Sequence, residues 1–129
     1  MFSKCLNSKK QGEVGLSKAI AYYTQKGCIV SIPLCDNQDY DLIIDYGNKL
    51  YKVQVKTTKY KTNYNIYSVN LRVFGGNKHS TKIKMFDASL VDLLYVLTEL
   101  GDEYSIPSRE VKVKNSLSLG RKMAPFRGA

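Results

Sequence analysis

The chain has 129 residues, long enough to bury a core of its own, and its 43% hydrophobic content excludes a disordered basic tail. Twenty Lys and Arg against eleven Asp and Glu leave a net charge of +9, which points to a polyanionic partner, nucleic acid first. No apolar run reaches a membrane span and residues 1–11 carry no signal-peptide core, so the expectation is a cytoplasmic, intracellular protein that is not secreted and meets no membrane.

Residues 12–26 read as an amphipathic helix stopped by Gly27. The helical wheel sets Glu13 inside an apolar arc of Val14, Leu16, Ala19, Ile20, Ala21 and Tyr23, with Lys18, Tyr22, Gln25 and Lys26 on the other side. An acid there either answers the helix dipole in the first turn or serves a site. Residues 28–34 are β-branched and apolar, a strand ending in a turn-rich stretch around Asp36 and Asp39. Residues 41–45 form a second strand with apolar residues on both faces, the mark of a central position. Tyr46-Gly47-Asn48 supplies a tight turn, so residues 49–57 pair back antiparallel. On that strand Tyr51, Val53, Val55 and Thr57 face one way, and Lys52, Gln54 and Lys56 the other.

Residues 59–84 are rich in Tyr, Asn and Lys, with a strand at 67–73 and a loop at 75–78. Residues 87–100 carry two patterns. Leu90, Leu93, Leu94, Leu97 and Leu100 make a helical stripe, yet 93–97 followed by Gly101-Asp102 and 103–106 also reads as a hairpin. The stretch from Val111 reads as a short helix and a loosely held end. No repeat or boundary divides the chain, which is one domain over 1–129 with its core at about 12–107 and a basic segment at 108–129.

The charge is unevenly spread. Nine bases lie between Tyr46 and Phe86 and five more after Val111, with no acid in either stretch. The rest of the chain holds six bases and all eleven acids, four of them at Asp36, Asp39, Asp41 and Asp45. Carboxylates for a divalent cation beside a positive rim for phosphates are what a nuclease requires. Three cysteines without a C-x-x-C and a single histidine, His79, exclude a disulfide framework, a zinc ribbon, histidine–metal clusters and a Ser-His-Asp triad. No glycine-rich phosphate loop occurs. What remains is carboxylate, Gln, Lys and Tyr chemistry. The hairpin brings Asp41 beside Gln54 and Lys56: a carboxylate, an amide oxygen and the Val55 carbonyl suit Mg²⁺, and a lysine two residues on can orient or deprotonate a water. Tyr51, Tyr60, Tyr64 and Tyr67 among lysines either stack on bases or simply suit strands.

With Glu13 on the first helix, Asp41 in Tyr40-Asp41-Leu42-Ile43-Ile44-Asp45 and Gln54-Val55-Lys56 after a hairpin, the chain resembles the PD-(D/E)XK nuclease superfamily. Within it the chain looks most like the small homing endonucleases of cyanobacterial group I introns, marked by G-E-x-G-x-x, D-L-x-x-D and Q-V-K-T. The archaeal Holliday junction resolvases are a more distant likeness. The resemblance implies a restriction-endonuclease-like α/β core, a mixed β-sheet flanked by α-helices, and favours strand over helix at 92–98. It implies a Mg²⁺-dependent DNA endonuclease, with Mn²⁺ as substitute, acting on double-stranded DNA as a homodimer or homotetramer. Asp41, Gln54, the Val55 carbonyl and Glu13 are then the metal ligands, with Lys56 the catalytic lysine. Two departures stand out: Pro33 is not adjacent to Asp41, and Gln54 is neutral where Asp or Glu is usual, although Gln is the expected residue in the intron-endonuclease branch. Lys18, Lys59, Tyr60, Lys61, Lys78, His79 and Lys82 are the expected DNA contacts. A junction resolvase and an inactive nucleic-acid-binding protein with a nuclease shell are the alternatives.

Overall fold

A computed structural model of the chain describes residues 1–5, 7–35, 38–74 and 83–128. Asn7 caps helix α1 (Ser8–Gln25), its side-chain oxygen accepting the Lys10 N–H at 2.9 Å, which starts the helix about one turn earlier than expected. Gly27, at φ +89°, ends it where the sequence places the stop. Strands β1 (Ile29–Ser31), β2 (Leu42–Tyr46) and β3 (Lys49–Thr58) follow. Gly47 and Asn48 both take positive φ, +62° and +64°, the twist a two-residue hairpin turn needs. The expected β2–β3 hairpin is therefore present, with Tyr46 opposite Lys49 and Leu42 opposite Val53.

Beyond β3 come β4 (Ser68–Asn70), β5 (Val73–Phe74), β6 (Ile83–Lys84), β7 (Leu93–Thr98), β8 (Glu103–Pro107) and β9 (Ser116–Ser118). The main sheet runs β1-β2-β3-β7-β8, with β3 and β7 parallel and every other pair antiparallel. β4–β9 and β5–β6 form separate ribbons. The leucine stripe is strand, as the resemblance favoured: Leu94 and Val96 fill one core, Tyr95 and Leu97 the other. Leu90 and Leu100, which would complete a helical stripe, stay exposed. A strand buried on both faces mimics helix periodicity because it has no polar face to alternate.

Among the described residues α1 is the only α-helix, where helices around the sheet are expected. It covers one face through Ala19, Tyr22 and Tyr23 against Leu42, Ile44, Val53 and Tyr95. The other face is covered by the β4–β9 ribbon and a 3-10 turn (Arg121–Phe126), through Val69, Leu117, Leu119 and Met123. No helix among the described residues is long and apolar enough to cross a membrane. The chain end is not loosely held. Arg127 pairs with Asp102 at 2.6 Å and bridges to Tyr104, and the Gly128 N–H donates to the Glu103 carbonyl at 2.7 Å. The unpaired edge of β8 offers these bonds, which composition does not reveal.

Gly15 sets how closely α1 approaches the sheet. A Cβ there would sit 2.5 Å from Thr57 Cγ2 and 3.5 Å from Val55 Cγ1. Thr57 cannot simply rotate away, because its hydroxyl accepts the Gln11 side-chain N–H at 2.8 Å. Gly15→Ala gains up to about 1 kcal/mol of helix propensity but forces an overpacking that costs about 1–3 kcal/mol. A lowered urea midpoint with an unchanged m-value is the expected result.

Candidate active site

The helix wheel misplaced the contact face of α1 because a glycine adds nothing to an apolar arc. The buried stripe is Gly15, Ala19, Tyr22 and Tyr23, while Val14, Leu16 and Ile20 are half-buried. Glu13 lies about 160° around the helix from Gly15. It is exposed and pairs with Lys10 at 3.2 Å. Its neighbours Gln11 and Gly15 both touch Thr57, so Glu13 stands level with the end of β3 but on the outer side of the helix.

Asp41, Gln54, Val55 and Lys56 are brought together. The Asp41 N–H donates to the Val53 carbonyl at 2.8 Å, one residue out of step with the β2–β3 ladder, so Asp41 stands just before the first paired residue, Leu42, beside the Val53–Val55 stretch of β3. The Val55 N–H donates to Asp41 Oδ2 at 2.7 Å, which fixes the carboxylate over the strand. Gln54 is 8% exposed. Its Nε2 donates to the Asp39 carbonyl at 3.1 Å, and because a carbonyl only accepts, the amide oxygen must point the other way. That oxygen is buried and has no partner among the described residues. Gln54 also lines a small crevice of about 10 Å³ with Asp39, Phe86, Asp87 and Val91, room for about one water or ion.

The Asp41 side chain meets solvent yet is set among the strands, and that desolvation pushes its carboxyl above the usual range; the Val55 N–H and the Lys56 charge pull back. Burial likewise lowers the Lys56 ammonium below the ordinary lysine value, with Asp41 opposing. Desolvation dominates both, and no direct ion pair closes between them. Two desolvated charges and an orphaned oxygen within a few residues of one another set this stretch apart from a fully solvated strand.

Residues 6–125 match the PD-(D/E)XK endonuclease family. The chain belongs to that family. Its members generally use divalent metals, and DNA is the substrate the family implies. A solved structure of a bacterial homing endonuclease, I-Ssp6803I, superimposes with a TM-score of 0.79 at 23% identity, covering 94% of this chain and 88% of that one. At that identity the likeness shows the fold, a restriction-endonuclease-like α/β core. No curated protein matches the chain.

The donor set fits a hard divalent cation: the Asp41 carboxylate, the unpartnered Gln54 oxygen and the Val55 carbonyl are all oxygen. Among the described residues no cluster of three His, Cys, Asp or Glu forms a metal site, so an ion here would lean on amide and backbone oxygen. Of the acidic group, Asp45 faces Ile29 and Leu50 one strand-length away, and Asp36 lies outside the described residues. Lys59, Tyr60 and Lys61 are exposed just past β3, Lys61 over the Tyr67 ring at 4.9 Å, and Lys18 is half-buried on α1. Lys78, His79 and Lys82 lie outside the described residues. Gly15 and Gln11, which seat the helix beside the site, escaped the sequence reading; a glycine inside a helix, costly unless something packs on it, was the available signal.

A carboxyl whose folded pKa lies above its unfolded one binds more protons in the native state, so its contribution to stability grows as pH falls through the folded value. Asp41→Asn keeps an acceptor for the Val55 N–H and removes the desolvated charge. At pH 7 the variant is expected to melt no lower than the wild type, and the wild type is expected to gain on it as pH falls toward the carboxylate range. A fall of several degrees for Asp41→Asn at pH 7 would mean that attraction to Lys56 outweighs burial.

Proposed function

We propose that the chain is a Mg²⁺-dependent endonuclease, with Mn²⁺ as a working substitute, that hydrolyses phosphodiester bonds of double-stranded DNA at a defined site in the manner of homing endonucleases. The observation that carries this reading is the buried, unpartnered Gln54 oxygen on the strand that also carries Lys56, with the Asp41 carboxylate bonded to the Val55 N–H between them. Asp41, Gln54 and the Val55 carbonyl would hold the ion. When bound, it supplies a Lewis acid for the scissile phosphate and its attacking water. Lys56, its proton loosened by burial, takes a proton from that water when neutral and steadies charge building on the phosphate when charged. Glu13 enters as a carboxylate level with the end of β3, reaching the site through water. Lys18, Lys59, Tyr60 and Lys61, with Lys78, His79 and Lys82, hold the duplex.

Each chain brings one such constellation, and cutting both strands at one place then calls for a two-fold pair of chains, or a tetramer made of two pairs.

Supercoiled plasmid and a long linear duplex with Mg²⁺ test the chemistry. One discrete double-strand cut is expected from the wild type, and none with EDTA. Lys56→Ala is expected to lower the rate by about 10²–10⁴-fold, with Glu13→Gln a smaller loss than Asp41→Asn. Because Lys56 acts as a base only when deprotonated, the rate should climb with pH up to its lowered pKa and then level. Independently of cleavage, Ca²⁺ or Mg²⁺ should raise the melting temperature of the wild type and not that of Asp41→Asn. Paired nicks at the crossover of a four-way junction, with linear duplex untouched, would move the reading to a resolvase. Uncut DNA under all conditions, with duplex still bound, would leave only a binding protein.

A further inference from the structure

A second polar feature begins where the catalytic strand ends. A cleft of about 480 Å³ opens beyond Thr58 between the first turns of α1 and the β4–β9 ribbon. Ten residues line it and none is acidic; Lys59 and Arg72 are basic, and Gln11, Asn70 and Asn115 contribute side-chain amides. Its walls are preset by hydrogen bonds. Thr58 Oγ1 donates to the Ser68 carbonyl at 2.5 Å, the Ser68 N–H donates to the Tyr60 carbonyl at 3.0 Å, and the Leu71 N–H donates to the Asn115 carbonyl at 2.8 Å. Asn70 Oδ1 accepts the Arg72 N–H at 3.0 Å, which orients the amide and leaves its NH₂ to donate elsewhere. Glu99 is the acid whose field reaches Lys59, but its carboxylate is engaged by the Met1 amino group and the Phe2 N–H.

A cleft lined by amides and a guanidinium, with no carboxylate, recognises an anion that also presents hydrogen-bonding edges. Arg pairs with guanine and Asn or Gln with adenine in this way. Position narrows the ligand further. Thr58 lies two residues past Lys56, roughly 7 Å along the strand, which is about two base-pair steps of duplex at ~3.4 Å each. Resting on the DNA endonuclease reading above, we propose that this cleft reads the base pairs immediately beside the scissile phosphate. Arg72, Asn70 and Asn115 make the base-edge contacts, and Lys59 with exposed Tyr60 at the mouth grips the backbone.

Asn115, Asn70 and Arg72 are surface-exposed, so truncating them leaves the fold intact, which a thermal melt verifies. Two measurements then test the cleft. In EDTA, with no metal and no cleavage, duplex binding is titrated against salt for the wild type, Arg72→Ala, Asn115→Ala and Lys59→Ala. Weaker binding by all three is expected, with the salt slope of Lys59→Ala reduced by about one. With Mg²⁺, a library of duplexes randomised around the cut is digested and sequenced. Arg72→Ala and Asn115→Ala are each expected to lose preference at one or two adjacent positions, by about 5- to 150-fold against the preferred base. Lys59→Ala is expected to weaken cutting of all sequences alike. Wild-type affinity in the EDTA titration for Arg72→Ala and Asn115→Ala overturns the proposal. So does an unchanged base preference in the digest. If the wild type binds but does not cut, the endonuclease reading fails while the EDTA titration still decides the cleft.

Discussion

The register of the β2–β3 hairpin governs everything chemical in this molecule. Two residues in the left-handed region, Gly47 and Asn48, close the turn with Tyr46 opposite Lys49, and five pairs carry the ladder to Leu42 opposite Val53, with Asp41 just beyond and bonded to the Val55 N–H. A slip of one residue would send Gln54 and Lys56 to the α1 face and Val55 to the other. The slip is resisted from both sides. Leu42, Ile44 and Val53 must stay in the core under α1, and the Asp41 carboxylate is tied to the Val55 N–H. The same strand is held from beyond by parallel pairing with β7 and by Asp92, whose carboxylate accepts the Lys52 N–H at 2.8 Å while its own N–H donates to the Lys52 carbonyl. The site therefore sits on the most constrained strand of the sheet, as a constellation that must hold its geometry requires.

That rigidity has an electrostatic consequence. Asp41 and Lys56 are close enough to moderate each other but not to pair, and both remain poorly solvated. Left so, each holds its charge less readily than in water, a burden that is unfavourable for folding and useful for chemistry. A cation at Asp41 and Gln54 would draw the carboxyl back to its ionised form and push the lysine further toward neutrality. One binding event would then set both groups in the protonation states that hydrolysis requires.

Much of this was legible in the sequence, for identifiable reasons. Gly47-Asn48 between apolar runs is a turn signal with a mechanism, and once the hairpin is drawn the nearness of Asp41 to the 54–56 stretch follows by counting. The β7 strand was harder. Leu93 to Leu97 is apolar throughout because both faces are buried, and such a run carries no period to read. The contact face of α1 was misjudged because its centre is Gly15, whose value is its absent side chain. Only the Thr57 methyl waiting 2.5 Å away reveals that. The hold on the chain end by Asp102, Glu103 and Tyr104 was invisible for a different reason. It depends on which edge of the sheet is left open, a tertiary fact.

The neutral Gln54 looks at first like a weakness, one negative charge fewer than an Asp or Glu would give. In a chain carrying +9 it also has a benefit. Lys56 shares its strand face, and a second carboxylate there would pair with the lysine, raise its pKa and keep it charged. An amide offers the same hard oxygen at every pH without holding the ammonium in its protonated form. In the proposed mechanism Asp41 alone then makes cation binding pH-dependent, and the lysine's low pKa is preserved by the absence of a closer anion. The Gln54 oxygen, buried and unpartnered in the protein itself, is the feature that exchange leaves behind.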